Sequence, residues 1–120
     1  MTVQEVAARC GFNVVCGTES LGRLVCAGYA SDLLSDVLAH APEGAIWVTL
    51  QAHANIVAVA GMRDLSAIVL VGGRRPEPET QAKAAALGLP ILSSSLPAFD
   101  TVCQLAALGV PGTAGRGAGA

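Results

Sequence analysis

A chain of 120 residues suffices for one domain with a core of its own, held by neither metal nor disulfide. A net charge of −2 and an aromatic content of 3% exclude the basic footprint and the stacking platforms of a nucleic-acid binder. Only 13% of the residues are charged against 52% apolar, and a surface so short of charge points to a patch covered by a partner or a second copy.

Thr2 and Glu5 form a capping-box pattern, Val3, Val6, Ala7 and Cys10 repeat at helical spacing, and Gly11 closes this first helix. Phe12–Cys16 is a β-rich run, Gly17–Gly22 a polar loop, and Arg23–Tyr29 the next strand. Ser31 reads as the N-cap of a helix with Leu33, Leu34, Val37, Leu38 and Ala41 inward and Asp32, Ser35, Asp36 and His40 outward. Pro42-Glu43-Gly44 stops it. Ala45–Leu50 and Ala67–Val71 are nearly continuous apolar runs, as in strands buried on both faces. Ile56–Met62 reads as a helix between them. Glu77–Leu87 is an alanine-rich helix capped by Gly88, Pro90–Leu92 a short strand, and Pro97–Leu108 a last helix capped by Ser95.

The alternation from residue 45 onward predicts an α/β layered domain over residues 1–110, with a mostly parallel sheet of about four to five strands flanked by helices. The first two strands lie closer in sequence, so their pairing is left open. Pro111–Ala120 is Gly/Ala-rich without apolar periodicity and reads as a flexible tail. Met1–Glu5 is too polar for a secretory signal, and Ile56–Val71 is broken by Arg63-Asp64 and a glycine, so no bilayer span is expected and the expected location is cytoplasmic. Cys10, Cys16, Cys26 and Cys103 make no Cys-x-x-Cys pair and read as small buried hydrophobes.

Ligands of an open α/β sheet bind beyond the carboxyl ends of the strands, where Gln51–Asn55, Gly72–Arg74 and Ser93–Ser95 are expected. Gly72-Gly73 offers backbone amides to an anion, Arg74 adds charge, and the serines add hydrogen bonds; the alternative is a plain turn. Gln51 and His53 offer donors or an acid–base group, against a loop or capping histidine, and no carboxylate stands in sequence to orient His53. Asp32 and Asp36 read as either a metal pair or a solvated or partner-facing edge. Arg23 opens an apolar strand, where it either anchors a carboxylate, Asp32 or Asp36, or meets an anionic ligand or partner. The chain has no Gly-x-x-x-x-Gly-Lys-Ser/Thr loop, no Gly-x-Gly-x-x-Gly and no Gly-x-Ser-x-Gly. No catalytic residue, metal or cofactor is therefore assigned.

Gly22-Arg23-Leu24-Val25-Cys26-Ala27-Gly28-Tyr29, Ser31–Val37 and Trp47–Ile56, with its Gln51-x-His53-x-Asn55, carry a resemblance. They resemble small stand-alone members of the DRTGG-domain family, over roughly Thr2 to Val110. Gly22 stands where the name-giving motif has aspartate, and Ala27 replaces one glycine, so no contact through that aspartate carries over. The family's modules occur alone or fused to CBS domains, phosphotransacetylases and HPr kinase/phosphorylase-like proteins. Their fold is similar to the N-terminal domains of HPr kinase/phosphorylase and of Mur ligases. Relatives like this one are encoded near iron-only hydrogenase and redox genes. The resemblance implies a regulatory or accessory module, often dimeric, and without a phosphate-binding loop no kinase activity transfers.

The leading expectation is thus a non-catalytic regulatory or assembly module that forms a homo-oligomer, a dimer first. The alternative is a small-molecule sensor binding a nucleotide or phosphorylated metabolite at the strand ends. Its contacts would be Arg23, Gln51, His53, Gly73 and Arg74, with Gly28, Tyr29 and Asn55 from the stretches that carry the resemblance.

Overall fold

The computed structural model describes residues 1–114. Helix α1 (Val3–Cys10) starts as its local pattern demands. The Thr2 hydroxyl accepts the Glu5 amide at 3.2 Å, and the Glu5 carboxylate accepts the Thr2 amide at 3.0 Å. The bond from the Thr2 backbone, then that from its hydroxyl, hold the Glu5 carboxyl below its usual range. Gly11 ends the helix at φ 72°. There follow β1 (Asn13–Cys16), a 3₁₀ turn at Thr18–Ser20, β2 (Ala27–Ala30), α2 (Leu34–His40), β3 (Ala45–Thr49) and α3 (Asn55–Met62). The chain continues through β4 (Ala67–Leu70), α4 (Pro78–Leu87), β5 (Ile91–Ser93) and α5 (Ala98–Ala107).

The five strands form one sheet in the order β1-β5-β4-β3-β2, parallel from β2 through β5, with β1 antiparallel on the β5 edge. The expected α/β layering with a mostly parallel sheet is thus observed. Alternation along the strands divides the core. Trp47, Ile68, Leu70 and Ile91 pack under α2, α3 and α4, while Ile46, Val48, Val69 and Leu92 pack under α1 and α5. Every residue of β3 and β4 is buried, which accounts for their unbroken apolar runs. No helix among the described residues is long and apolar enough to cross a membrane.

Four local expectations are corrected. The second strand begins at Ala27 rather than Arg23, because residues 23–25 pair with the chain start: the Val3 amide donates to the Arg23 carbonyl and the Val25 amide to the Met1 carbonyl. Helix α2 begins at Leu34 without a side-chain cap; the Ser31 hydroxyl accepts the Leu33 amide instead, and Leu33 points outward at 65% exposure. Helix α5 is preceded by Pro97 in the cap position, while the Ser94 hydroxyl, not Ser95, serves the turn by accepting the Leu96 amide. Of the cysteines only Cys16 is fully buried, and Cys103 is exposed on α5. Burial pushes the Cys10 and Cys16 thiols up. At the start of the expected tail, the Pro111 carbonyl accepts the Gly28 amide at 2.8 Å; residues 115–120 lie outside the described residues.

Candidate functional site

The helices α4 and α5 follow adjacent strands and leave to opposite faces, the divergence at which an α/β sheet opens a crevice. Here the two loops are joined across it. The Gly72 amide donates to the Leu96 carbonyl at 2.7 Å and the Gly73 amide to the Ser94 carbonyl at 2.9 Å. Both glycines have left-handed backbones, φ 68° and 71°, which turn the amides inward. The expectation that these amides are free for an anion is therefore corrected. Ser93 and Ser94 are buried, and the Ser94 hydroxyl is bonded to that of Thr101 at 2.9 Å. Arg74 and Arg75 are exposed, and neither side chain has a partner among the described residues.

The neighbouring strand ends are also joined. One Asp32 carboxylate oxygen accepts both the Thr49 hydroxyl and the Leu50 amide at 2.8 Å, and the Gln51 side-chain amide donates to the Asp32 carbonyl at 3.0 Å. Gln51 and Asp32 thus serve as a clasp between the ends of β2 and β3. Asp32→Ala is expected to cost about 2 kcal/mol in a urea titration, since it strands two donors, and Asp32→Asn less than half of that, since an acceptor remains. Equal losses in the two variants would show that the clasp depends on charge.

Asp32 and Asp36, read together as a metal pair or a solvated or partner-facing edge, part company. Asp36 accepts the Tyr29 hydroxyl at 2.9 Å and pairs with His40 Nδ1 at 3.1 Å. The Ser31 hydroxyl, then Tyr29, then His40 hold its carboxyl below the usual range, while burial and then Asp36 push the Tyr29 phenol up. Among the described residues no group of three or more His, Cys, Asp and Glu side chains is placed to hold a metal ion.

The eight expected contacts fall in separate places. Arg23 sits at the amino end of the sheet, where its guanidinium donates to the Leu65 carbonyl at 3.0 Å and pairs with the Asp64 carboxylate at 3.0 Å. It is an anchor, as one reading had it, but its acid is Asp64 rather than Asp32 or Asp36. Gly28 and Tyr29 line a small apolar hollow of about 140 Å³ between β2 and α5, with Val102, Leu105, Ala106 and Val110. His53 and Asn55 stand at the carboxyl end of β3, lining a groove of about 550 Å³ between α3 and α4. His53 Nδ1 accepts the Asn55 backbone amide at 3.3 Å. The opposite wall holds Glu79 and Lys83, an i,i+4 pair at 3.2 Å that the sequence analysis did not single out.

No family model and no curated protein matches the chain. Among solved structures it is similar to the CBS and DRTGG domains of the regulatory region of Clostridium perfringens pyrophosphatase, in complex with the activator diadenosine tetraphosphate. The TM-score is 0.66 at 14% identity, over 87% of this chain and 45% of that one. The fold is DRTGG-like. At this identity the likeness bears on fold alone, and the chain spans less than half of its neighbour. In this DRTGG-like fold the first and third of the stretches that carry the sequence resemblance contribute to adjacent parallel strands, with Tyr29 paired to Trp47. The observed clasp at Asp32 and Gln51 lies where both strands end.

Proposed function

We propose that the chain is a non-catalytic regulatory or assembly module that self-associates through the outer face of α5. The observation that carries this reading is a knob beside a hole. Phe99, 79% exposed, and Val102 share one face of α5, and Val102 and Ala106 border the apolar hollow against β2. A two-fold axis across α5 would set each Phe99 against the partner's hollow, the reciprocal arrangement that an isologous dimer requires. A large exposed aromatic on a charge-poor chain is the surface such a contact would cover. The absence of catalysis in this reading is supported by polar groups that bond to one another at the strand ends. His53 is held by a backbone amide and not by a carboxylate.

The test is the mass in solution. Sedimentation equilibrium of the full chain is expected to give a dimer at tens of micromolar, and Phe99→Asp a monomer with unchanged helicity. A wild-type monomer at millimolar concentration would end this reading. A role accessory to a redox or hydrogenase system, in the cytoplasm, rests on the sequence resemblance and belongs to the same proposal.

A second reading, a sensor of a nucleotide or phosphorylated metabolite, is favoured by one observation. Arg74 and Arg75 are two adjacent exposed cations with no partner among the described residues. The pyrophosphatase region of similar fold was solved with a nucleotide activator, which fits this second reading.

A further inference from the structure

The groove between α3 and α4 has the volume of a small-molecule site, about 550 Å³. Its lining is apolar in the middle, with Val57 and Ala58 from α3 and Ala86 and Leu87 from α4. Ala58 on one wall and Ala86 on the other are short side chains, and they leave a slot between the helices. Polar groups stand at its mouth. Because His53 Nδ1 accepts the Asn55 amide, the neutral ring carries its proton on Nε2 and presents a donor there. The Asn55 side-chain amide has no partner among the described residues, so it offers both a donor and an acceptor.

The loop that carries Arg74 and Arg75 is tied to this same mouth. The Ala52 carbonyl, one residue before His53, accepts the Glu77 amide at 3.1 Å and the Thr80 hydroxyl at 2.8 Å. Of the charged groups that line the groove, Lys83 and Glu79 are already paired, and the loop before α4 adds Arg74, Arg75 and Glu77. None of these three side chains has a partner among the described residues, and their summed charge is positive.

We infer that this groove binds a nucleoside monophosphate, with the base in the alanine-lined slot and the phosphate toward Arg74 and Arg75. Asn55 would meet the base edge, since an amide side chain pairs with the donor–acceptor edge of adenine. The inference rests on the sensing reading and moves its site from the sewn crevice of the sheet to the helix–helix groove.

The test is a ¹H–¹⁵N titration of the full chain with adenosine monophosphate, and separately with adenosine and with inorganic phosphate. Shifts are expected to cluster at residues 53–58 and 79–87. Ala58→Phe, a change at an exposed position, is expected to weaken binding about tenfold or more by filling the slot. Ala86→Phe fills it from the other wall and serves if the first variant melts early. Arg74→Ala with Arg75→Ala is expected to weaken the monophosphate about tenfold and leave adenosine unchanged. Shifts confined to other loops, or binding indifferent to both phenylalanines, would overturn the groove and leave sensing intact. Phosphate binding as tightly as the monophosphate would overturn the base slot. No nucleotide binding by the wild-type chain at about 1 mM would overturn both the groove and the sensing reading.

Discussion

Gly17→Ala is expected to cost about 4 kcal/mol or more, enough to leave much of the population of a small domain unfolded. Gly17 holds φ 78°, where an L-residue pays about 1 kcal/mol. The larger part is steric. A Cβ at this position would overlap the carbonyl carbon and oxygen of Leu89 and the nitrogen of Pro90. These are backbone atoms at the entrance to β5, so no side-chain rotation relieves them. The end of β1 would have to move off β5, and with it the antiparallel edge of the sheet, where Cys16 Sγ lies 3.7 Å from the Leu89 carbonyl. Gly11 is the control. It has nearly the same backbone, φ 72°, but its Cβ would meet nothing within 4 Å. Gly11→Ala is therefore expected to cost only about 1 kcal/mol. Urea titrations of the two variants separate conformation from collision. Equal losses would mean that the close approach at Leu89 plays no part.

This pair also marks what a sequence can disclose. The helix closed by Gly11 was legible because Thr2, Glu5 and Gly11 act within one helix, and the buried strands Ala45–Thr49 and Ala67–Leu70 were legible because burial on both faces leaves an unbroken apolar run. Gly17 looked like any loop glycine, since its reason lies at Leu89 and Pro90. Arg23 was rightly suspected of anchoring a carboxylate, but the acid is Asp64, which no local pattern singles out. At Gly72 and Gly73 the turn was legible and the use of its amides was not, because their acceptors come from the returning chain at Ser94 and Leu96. Ser31 and Asp32 had the pattern of a helix start. Tertiary bonds to β3 won: Asp32 turns to Thr49 and Leu50, and the Ser31 carbonyl to Trp47. The groove that holds His53 and Asn55 was invisible for the same reason, since its second wall is α4.

Trp47 is where the core and this clasp meet, and Trp47→Ala is expected to cost about 4 kcal/mol. The side chain is fully buried at the middle of β3, among the residues that pack under α2, α3 and α4. Its indole N–H donates to the Ser31 carbonyl at 2.8 Å, so the same residue fills the core and holds the turn before α2. Trp47→Phe separates the two. It keeps most of the apolar area and loses the donor, and a cost of about 1–2 kcal/mol is expected. Trp47 is the only tryptophan, so unfolding is followed by circular dichroism in both variants. The decisive step is the double variant Trp47→Phe with Asp32→Ala. Trp47 and Asp32 fasten one turn to one strand, so once either bond is gone the other should hold less. The combined loss is expected to fall short of the sum by about 0.5–1 kcal/mol. Strict additivity would mean that the two bonds act separately, and that the Ser31–Asp32 turn is held by the core rather than by the clasp at the strand ends.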